Sequence, residues 1–154
     1  MRRVLLFVAS GAYTGYIPVA SGTWGTLVAF PLFWFCFDPL RHVSTFLYIA
    51  CFIAAVGLAC WVAGRAEALL QEHDSHAITI DEIVGYLAAT LFMAPTWENT
   101  LVAFLVFRVF DVVKPWPAGA IDRGTPGGTG VVLDDVVSGL YANLATRVLL
   151  AVVG

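Results

Sequence analysis

The sequence predicts an all-α membrane protein, a polytopic bundle of about four to five apolar helices. Of its 154 residues, 60% are hydrophobic and only 12% are charged, and the mean hydropathy is +0.85. A soluble domain is nearer to about half apolar and about a quarter charged. Because a short chain cannot bury so much apolar surface in its own core, we expect lipid to surround the rest. The length suits a single membrane-embedded domain over residues 1–154.

Composition also excludes several classes of protein. The net charge of −3 leaves no basic surface for a nucleic acid, so we expect no nucleic-acid partner. Cys36, Cys51 and Cys60 lie in apolar runs without the spacing of a metal site or a disulfide framework. Residues 4–9 follow two arginines, but this apolar run is short for a signal peptide, and we expect it to remain in the mature protein.

A cluster of Gly, Ser, Thr and Pro occupies residues 11–26. This composition predicts a structured loop that opens into a helix, with Ser21 or Thr23 as its N-cap. The first backbone N–H groups of a helix are free to bind an anion, and the helix dipole favours negative charge there. The pattern indicates a phosphate site at Ser21, Gly22 and Thr23, although a plain turn with a helix cap explains it equally well.

Two apolar runs follow this loop. Residues 27–37 contain Pro31 and are short for a perpendicular span of about 20 residues, and Asp38 and Pro39 are predicted to end that helix. Residues 43–63 carry no charge and predict the clearest transmembrane helix in the chain.

Polar and apolar segments alternate over the second half of the chain. A helix is expected to continue to about Gln71 and to lead into a loop. The segments are polar 65–82, apolar 83–94, a turn at 95–100, apolar 101–113, a loop at 116–129 and a last helix at 131–153. The two middle apolar runs are short, so they are predicted to form a tilted pair or a re-entrant hairpin buried by protein.

The charges favour one orientation in the membrane. If the N-terminus is cytoplasmic and five runs cross, every loop arginine and lysine except Arg41 lies on the cytoplasmic side, as the positive-inside rule requires. Four polar stretches that are distant in sequence then meet at that face. We therefore expect a multi-pass protein with a polar site that faces the cytoplasm.

Five carboxylates stand near helix ends beside apolar runs: Asp81, Glu82, Asp111, Asp134 and Asp135. So many like charges in one place require a cation, and hard oxygen ligands favour Mg²⁺. Arg108 and Lys114 flank Asp111 at spacings of three residues, which is one helix face, and both suit a phosphate. A metal beside a phosphate clamp predicts phosphoryl chemistry.

Structural explanations compete with this interpretation. Asp81 and Asp134 could each cap a helix, and Arg108 with Asp111 could be a structural ion pair. The excess positive charge of Lys114 argues against the second alternative. His73 beside Asp74 could serve as a base.

The chain resembles the phosphatidylglycerophosphatase A family of bacterial membrane lipid phosphatases. The resemblance lies in stretches that follow the family's order through nearly the whole chain: residues 15–27 (GYIPVASGTWGTL), 73–85 (HDSHAITIDEIVG), 107–117 (FRVFDVVKPWP), 121–123 (IDR) and 127–139 (GGTGVVLDDVVSG). His76 and Thr79 depart from the expected pattern, and His76 is assigned no catalytic role.

This resemblance implies an inner-membrane enzyme that uses Mg²⁺ to hydrolyse phosphatidylglycerophosphate to phosphatidylglycerol and phosphate. Asp81, Glu82, Asp111, Asp134 and Asp135 are the expected catalytic residues. Of these, Glu82, Asp111 and Asp135 are the expected Mg²⁺ ligands. Ser21, Gly22, Thr23, Arg108 and Lys114 are expected to hold the substrate phosphate.

Two alternatives remain at this point. The first is a phosphatase that acts on another lipid phosphate, and the second is a non-catalytic lipid-binding or transport module. Whether water or an aspartate attacks phosphorus is open, as are the number of metal ions and the oligomeric state.

Overall fold

The computed structural model describes residues 2–72 and 75–153, and this part of the chain is helical without any strand. The helices are α1 (Arg2–Ala9), α2 (Ser21–Leu32), α3 (Asp38–Val43), α4 (Thr45–Leu70), α5 (Ile80–Ala89), α6 (Trp97–Val113), α7 (Ala118–Gly124) and α8 (Gly128–Val153). A short 3₁₀ turn, Thr14–Tyr16, interrupts the loop between α1 and α2. The predicted all-α class is confirmed.

Two of the described helices are long and apolar enough to cross a membrane. α4 has 26 residues with a mean hydropathy of 2.3, and the stretch Gly128–Val152 of α8 has 25 residues with a mean of 1.3. At about 1.5 Å per residue each exceeds a hydrocarbon core of about 30 Å. The expected four to five membrane helices are not confirmed, because the remaining helices are shorter.

The first apolar run does not stop where the sequence predicted. α2 passes into a π-turn, Phe33–Phe37, in which the Asp38 N–H bonds to the Phe33 carbonyl, and α3 follows directly. Asp38 and Pro39 therefore begin a helix and do not end one. Pro39 stands in the first turn of α3, where the fixed φ of proline is compatible with a helix.

α5 is a short helix buried by protein, and its course relative to a membrane stays a prediction. All of its residues except Glu82 are buried. The backbone carbonyl groups at the end of α5 accept hydrogen bonds from side chains of α8. Asn143 Nδ2 donates to the carbonyls of Ala89 and Leu91 at 2.8 and 3.0 Å. Arg147 also donates to the Leu91 carbonyl at 2.8 Å. Backbone groups away from water need such partners, so these side chains allow α5 to end inside the bundle.

The depth of α5 follows from its neighbours on α4. At its beginning, Ile80 and Val84 pack in one cluster with Val62 and Ala66 of α4. Beyond its end, the Phe92 N–H donates to the Tyr48 hydroxyl near the start of α4. The first turn of α5 thus lies near the end of α4 that carries Arg65, where a membrane-spanning α4 would leave the hydrocarbon.

α5 and α8 make the most extensive contact between two of the described helices, and a glycine makes their close approach possible. A Cβ at Gly139 would overlap the Gly85 carbonyl oxygen and lie 2.9 Å from the Ala88 Cβ. On the facing side, a Cβ at Gly85 would lie 2.9 Å from the Asp135 carbonyl oxygen. Small residues at such crossings let two backbones approach closely. This contact holds the first turn of α5 beside the Asp135 region of α8.

Several predicted boundaries are wrong. α2 begins at Ser21. The residue before it, Ala20, is the N-cap, with a left-handed backbone (φ 54°) and no side-chain hydrogen bond to the helix. Neither Ser21 nor Thr23 is therefore the N-cap. The predicted loop at 116–129 contains α7, and α8 begins at Gly128, before the predicted residue 131. α6 begins at Trp97 within the predicted turn, because Thr96 caps it by accepting from the Asn99 N–H at 3.1 Å.

Replacing Gly139 by alanine should separate α5 from α8. The added methyl has no space against the Gly85 backbone, so we expect a lower unfolding temperature in detergent, at a cost of about 1–3 kcal/mol. Gly57→Ala on α4 is the matched control, because a Cβ there meets nothing within 4 Å. Thermal unfolding of both variants checks the prediction, and equal unfolding temperatures would contradict it.

Candidate active site

A polar cleft opens at the first turns of α2 and α5. Its volume is about 570 Å³. The side chains of Glu82 and Arg108 face it, together with residues of the loop before α2; the full lining is Gly15, Tyr16, Ile17, Pro18, Ala20, Ser21, Gly22, His76, Glu82 and Arg108. The cleft therefore combines a carboxylate, a guanidinium and the N-terminus of a helix.

Gly22 brings the first turn of α2 against the two charged side chains. A Cβ at this position would overlap Glu82 Oε1 and lie 3.2 Å from Arg108 Nη1. Any other residue at position 22 would displace these groups. The N–H groups of a first helical turn have no acceptor within the helix, so this end of α2 presents donors beside Arg108.

Three carboxylates gather where α5 meets α8. Asp81, Glu82 and Asp135 each offer one oxygen, and these atoms lie within 4.8 Å of one another. Asp81 and Asp135 are buried, with 7% and 3% of their surfaces exposed. One of the Glu82 oxygens, Oε2, is buried and accepts no hydrogen bond from any described residue. Like charges at such distances repel strongly when they are shielded from water.

The pKa of Glu82 reflects its burial and the nearby carboxylates. Glu82 precedes the apolar part of α5 and lies outside both candidate spans. Burial raises the pKa of Glu82 to about 7 against an opposing hydrogen bond with Asp81, and the charges of Asp135 and Asp111 raise it further. A folded-state pKa above the ordinary value means that this group's contribution to stability is lost as the pH rises through about 7. A bound cation would offset that loss.

Arg108 and Asp111 form an ion pair at the edge of the cluster. Arg108 Nη1 lies 2.7 Å from Asp111 Oδ2, and both side chains are mostly buried. The Asp111 carboxylate lies close enough to Glu82 to act on it electrostatically. Arg108 also lines the cleft, so a single guanidinium both neutralises Asp111 and faces the space where a ligand would lie.

Lys114 occupies a different position from the one expected. Its ammonium group lies 2.9 Å from Asp122 Oδ1 and also contacts Asp134, whose side chain is buried. Partial burial lowers the pKa of Lys114, but hydrogen bonds from its ammonium group to Asp134 and Asp122 together outweigh this effect and raise the pKa. The positive charge of Lys114 is therefore matched by two carboxylates, contrary to the excess of charge inferred from the sequence.

The structure thus brings together most of the predicted site residues. Ser21, Gly22, Glu82 and Arg108 line the cleft, whereas Thr23 does not. Of the expected ligands, Glu82 and Asp135 lie in the observed cluster together with Asp81, a predicted catalytic residue, whereas Asp111 is not part of it. Asp134 lies well inside α8, so it does not cap that helix. His73 and Asp74, the predicted bases, lie outside the described residues.

Asp122, which contacts Lys114, was given no role in the sequence-based prediction. It stands in the Ile-Asp-Arg stretch on α7, and that stretch was part of the resemblance without being given a role. Its signal in the sequence was weak, because a single acid on a short helix is usually a solvated surface residue. Only the fold shows that it shares Lys114 with Asp134.

The donor set of the cluster fits a hard divalent cation. Three carboxylates that converge without a histidine or cysteine match the oxygen ligands that Mg²⁺ prefers. The buried Glu82 oxygen that accepts no hydrogen bond from the described residues is a position that a cation would satisfy. A cation in this cluster would lie beside a guanidinium and a helix N-terminus, an arrangement that suits the binding and cleavage of a phosphate ester.

The fold and this cluster define a helical protein that has two helices long and apolar enough to cross a membrane and an acidic cluster beside a polar cleft. The sequence model of the family described as phosphatidylglycerophosphatase A matches residues 7–150. The chain belongs to the phosphatidylglycerophosphatase A family, and the predicted enzyme class, a phosphatase, is confirmed by this membership.

Individual relatives agree with the family. The chain is 31% identical to phosphatidylglycerophosphatase A of Escherichia coli over 88% of its length and 77% of that protein. It is 33% identical to phosphatidylglycerophosphatase A of Haemophilus influenzae, over 88% of its length and 82% of that protein. A protein of Bacteroides thetaiotaomicron, named as a candidate phosphatidylinositol-3-phosphatase, is 29% identical over 97% of this chain and 95% of its own. No solved structure matches the chain.

The Asp122→Asn variant should test the role of Lys114. Replacing the Asp122 carboxylate by an amide removes one of the two anions that hold the Lys114 ammonium, so Lys114, and with it Asp134 inside α8, should be held less firmly. We expect kcat for phosphate release to fall by about tenfold with little change in KM, at a cost of about 1–2 kcal/mol.

The matched control is Asp38→Asn, which breaks an ion pair with Arg41 at 2.6 Å outside the cluster. It should leave both kinetic constants unchanged. A rise in KM with kcat preserved in Asp122→Asn would contradict the positioning role, because it would place Lys114 on the substrate.

Proposed function

We propose that this protein hydrolyses phosphatidylglycerophosphate to phosphatidylglycerol and inorganic phosphate with Mg²⁺ as its cofactor. The proposal places the enzyme in the inner membrane of a bacterium as a multi-pass protein whose active site faces the cytoplasm. The observation that carries it is the cluster of Asp81, Glu82 and Asp135 beside Arg108 and the first turn of α2. Two relatives named phosphatidylglycerophosphatase A support the substrate.

Binding of the phosphate would use the cleft. Arg108 can donate two parallel hydrogen bonds to phosphate oxygens, and the N–H groups of Ser21 and Gly22 would donate at the helix N-terminus. Both sets of donors lie in the lining of the same cleft. Their common direction would orient the phosphorus towards the carboxylates, and orientation of this kind supplies much of the catalysis in phosphoryl transfer.

The cation would be held by Asp81, Glu82 and Asp135. When bound, Mg²⁺ supplies Lewis-acid stabilisation of the charge that develops on the phosphate oxygens. Asp111 would keep Arg108 in place through their ion pair, and Lys114 would keep Asp134 in place next to Asp135. Hydrolysis adds water across the bond between phosphorus and the glycerol oxygen, and the proposed proton acceptors remain His73 and Asp74.

A second candidate substrate class is another membrane lipid phosphate. The Bacteroides thetaiotaomicron relative named as a candidate phosphatidylinositol-3-phosphatase covers more of this chain than the other two relatives do. The phosphate-binding groups of the cleft would serve either headgroup. The non-catalytic alternative, a lipid-binding or transport module, has no comparable support, because the family is one of phosphatases.

The assay for this proposal measures phosphate release by the purified protein in detergent. Phosphatidylglycerophosphate should be hydrolysed in Mg²⁺ and not after chelation by EDTA, since the three carboxylates would then repel without a cation. Phosphatidylinositol 3-phosphate in a parallel reaction tests the second candidate. If neither lipid released phosphate in Mg²⁺, the proposed function would be overturned.

A variant pair assigns the activity to the cluster. Asp135→Asn removes a carboxylate from the cluster and should lower kcat by about 10²-fold or more, as losses of metal ligands or charge-stabilising groups do. Asp38→Asn should retain the wild-type rate. If Asp135→Asn kept full activity, the cation would have to be held elsewhere.

The proposed orientation can be tested by cysteine labelling in intact cells, after Cys36, Cys51 and Cys60 have been replaced. Glu98 is exposed in the first turn of α6, at the end of the helix away from Arg108 and the cleft, and His76 is exposed beside the cleft. A membrane-impermeant maleimide should label Glu98→Cys from outside and label His76→Cys only after permeabilisation. The reverse pattern would refute a cytoplasmic site.

A further inference from the structure

A second cavity in the bundle is a groove about 320 Å³ in volume, and its lining contains no polar side chain. It lies between α1, α2, α4 and α5, with Val28, Ala55 and Ile83 among its walls. Phe7, Val8 and Leu58 at its rim are more than a third exposed, at 44%, 38% and 55%. The groove is therefore open at the surface of the bundle and not a sealed core void.

The size and lining of the groove suit a hydrocarbon. A closed apolar cavity of about 150 Å³ stays dry and binds benzene, and this groove has about twice that volume. In water, such an opening would be an exposed apolar patch of the kind that marks a binding surface. At membrane depth, the available apolar occupant is a lipid chain.

The depth of the groove agrees with such an occupant. Ala55 and Leu58 lie near the middle of α4, a helix of 26 residues that is long enough to cross the bilayer. They precede the end of the helix at Leu70 by more than three turns, a rise of about 18 Å or more. The groove therefore lies at the level of the acyl chains if α4 crosses the membrane.

The groove and the cleft share two walls. In the loop before α2, Gly11 and Ala12 line the groove. The part of the same loop that begins at Gly15 lines the cleft. On α5, Glu82 lines the cleft and its neighbour Ile83 lines the groove. The loop is held tightly against α5, because a Cβ at Gly11 would lie 3.0 Å from the Ile83 side chain.

From these observations we propose that the groove binds one acyl chain of the lipid phosphate whose headgroup occupies the cleft. This inference rests on the proposed function and identifies the part of the substrate that the polar cleft does not recognise. A lipid held in this way keeps its chain in hydrocarbon while its phosphate reaches the carboxylates. Binding energy from the chain would then position the phosphate.

Two adjacent alanines on α4 provide the test. Ala55 lines the groove, whereas Ala54 is exposed on the outer surface of the same helix. Ala55→Leu and Ala54→Leu add the same volume one residue apart. The substrates are long-chain phosphatidylglycerophosphate and its deacylated headgroup, glycerophosphoglycerophosphate, and the measured quantity is kcat/KM for each.

Ala55→Leu should lower kcat/KM for the long-chain lipid by about tenfold or more, because even one methylene is felt in a filled apolar site. Its kcat/KM for the headgroup alone should equal that of the wild type, and Ala54→Leu should match the wild type on both substrates. Equal effects of the two variants, or an equal loss on both substrates, would overturn the groove proposal. If the wild-type protein hydrolysed neither compound, the proposed function would fall and the inference with it.

Photo-crosslinking provides a second measurement that does not depend on turnover. Phosphatidylglycerol with a diazirine at the middle of one acyl chain should label peptides of α1 and α4 that carry Phe7 and Leu58. Ala55→Leu should reduce this labelling and Ala54→Leu should not. Labelling confined to other helices would also overturn the proposal.

Discussion

The close packing of α5 against α8 is the contact on which the candidate site depends. Asp81 and Glu82 open α5, and Asp135 lies on α8 beside Gly139, so the approach of the two backbones determines the distance between the carboxylates. Two like charges about 4 Å apart repel by about 4 kcal/mol at an effective dielectric constant of about 20. Helix packing therefore works against this repulsion, and a cation in the cluster would remove the conflict.

Only some of the carboxylates need that cation, because the others are paired with basic side chains. Asp111 is paired with Arg108, and Asp134 shares Lys114 with Asp122. These pairs account for two of the five predicted carboxylates, and the other three form the cluster. The Lys114 contacts also join the end of α6 to α7 and α8, so the groups that balance charge help to fix the geometry.

The sequence was sufficient to predict the helical class, a membrane location and most of the residues that the structure brings together around the cleft and the acidic cluster. Charged residues next to apolar runs are a strong indication of a site, because burying a charge costs free energy unless a partner compensates it. Helix boundaries were harder to predict. The left-handed Ala20, the π-turn before Asp38 and the helix after Pro117 depend on tertiary contacts that local composition does not encode. The role of Lys114 was equally hidden, because its partner Asp122 lies on a separate short helix.

The central claim is that Asp81, Glu82 and Asp135 together hold a divalent cation. Crystals of the protein grown with Mn²⁺ in place of Mg²⁺ would test it most directly through anomalous scattering. The account predicts one strong anomalous peak within bonding distance of oxygens from all three side chains, and its loss in crystals of Glu82→Gln. A cluster without anomalous density at saturating Mn²⁺, or a peak bound only by other residues, would contradict it.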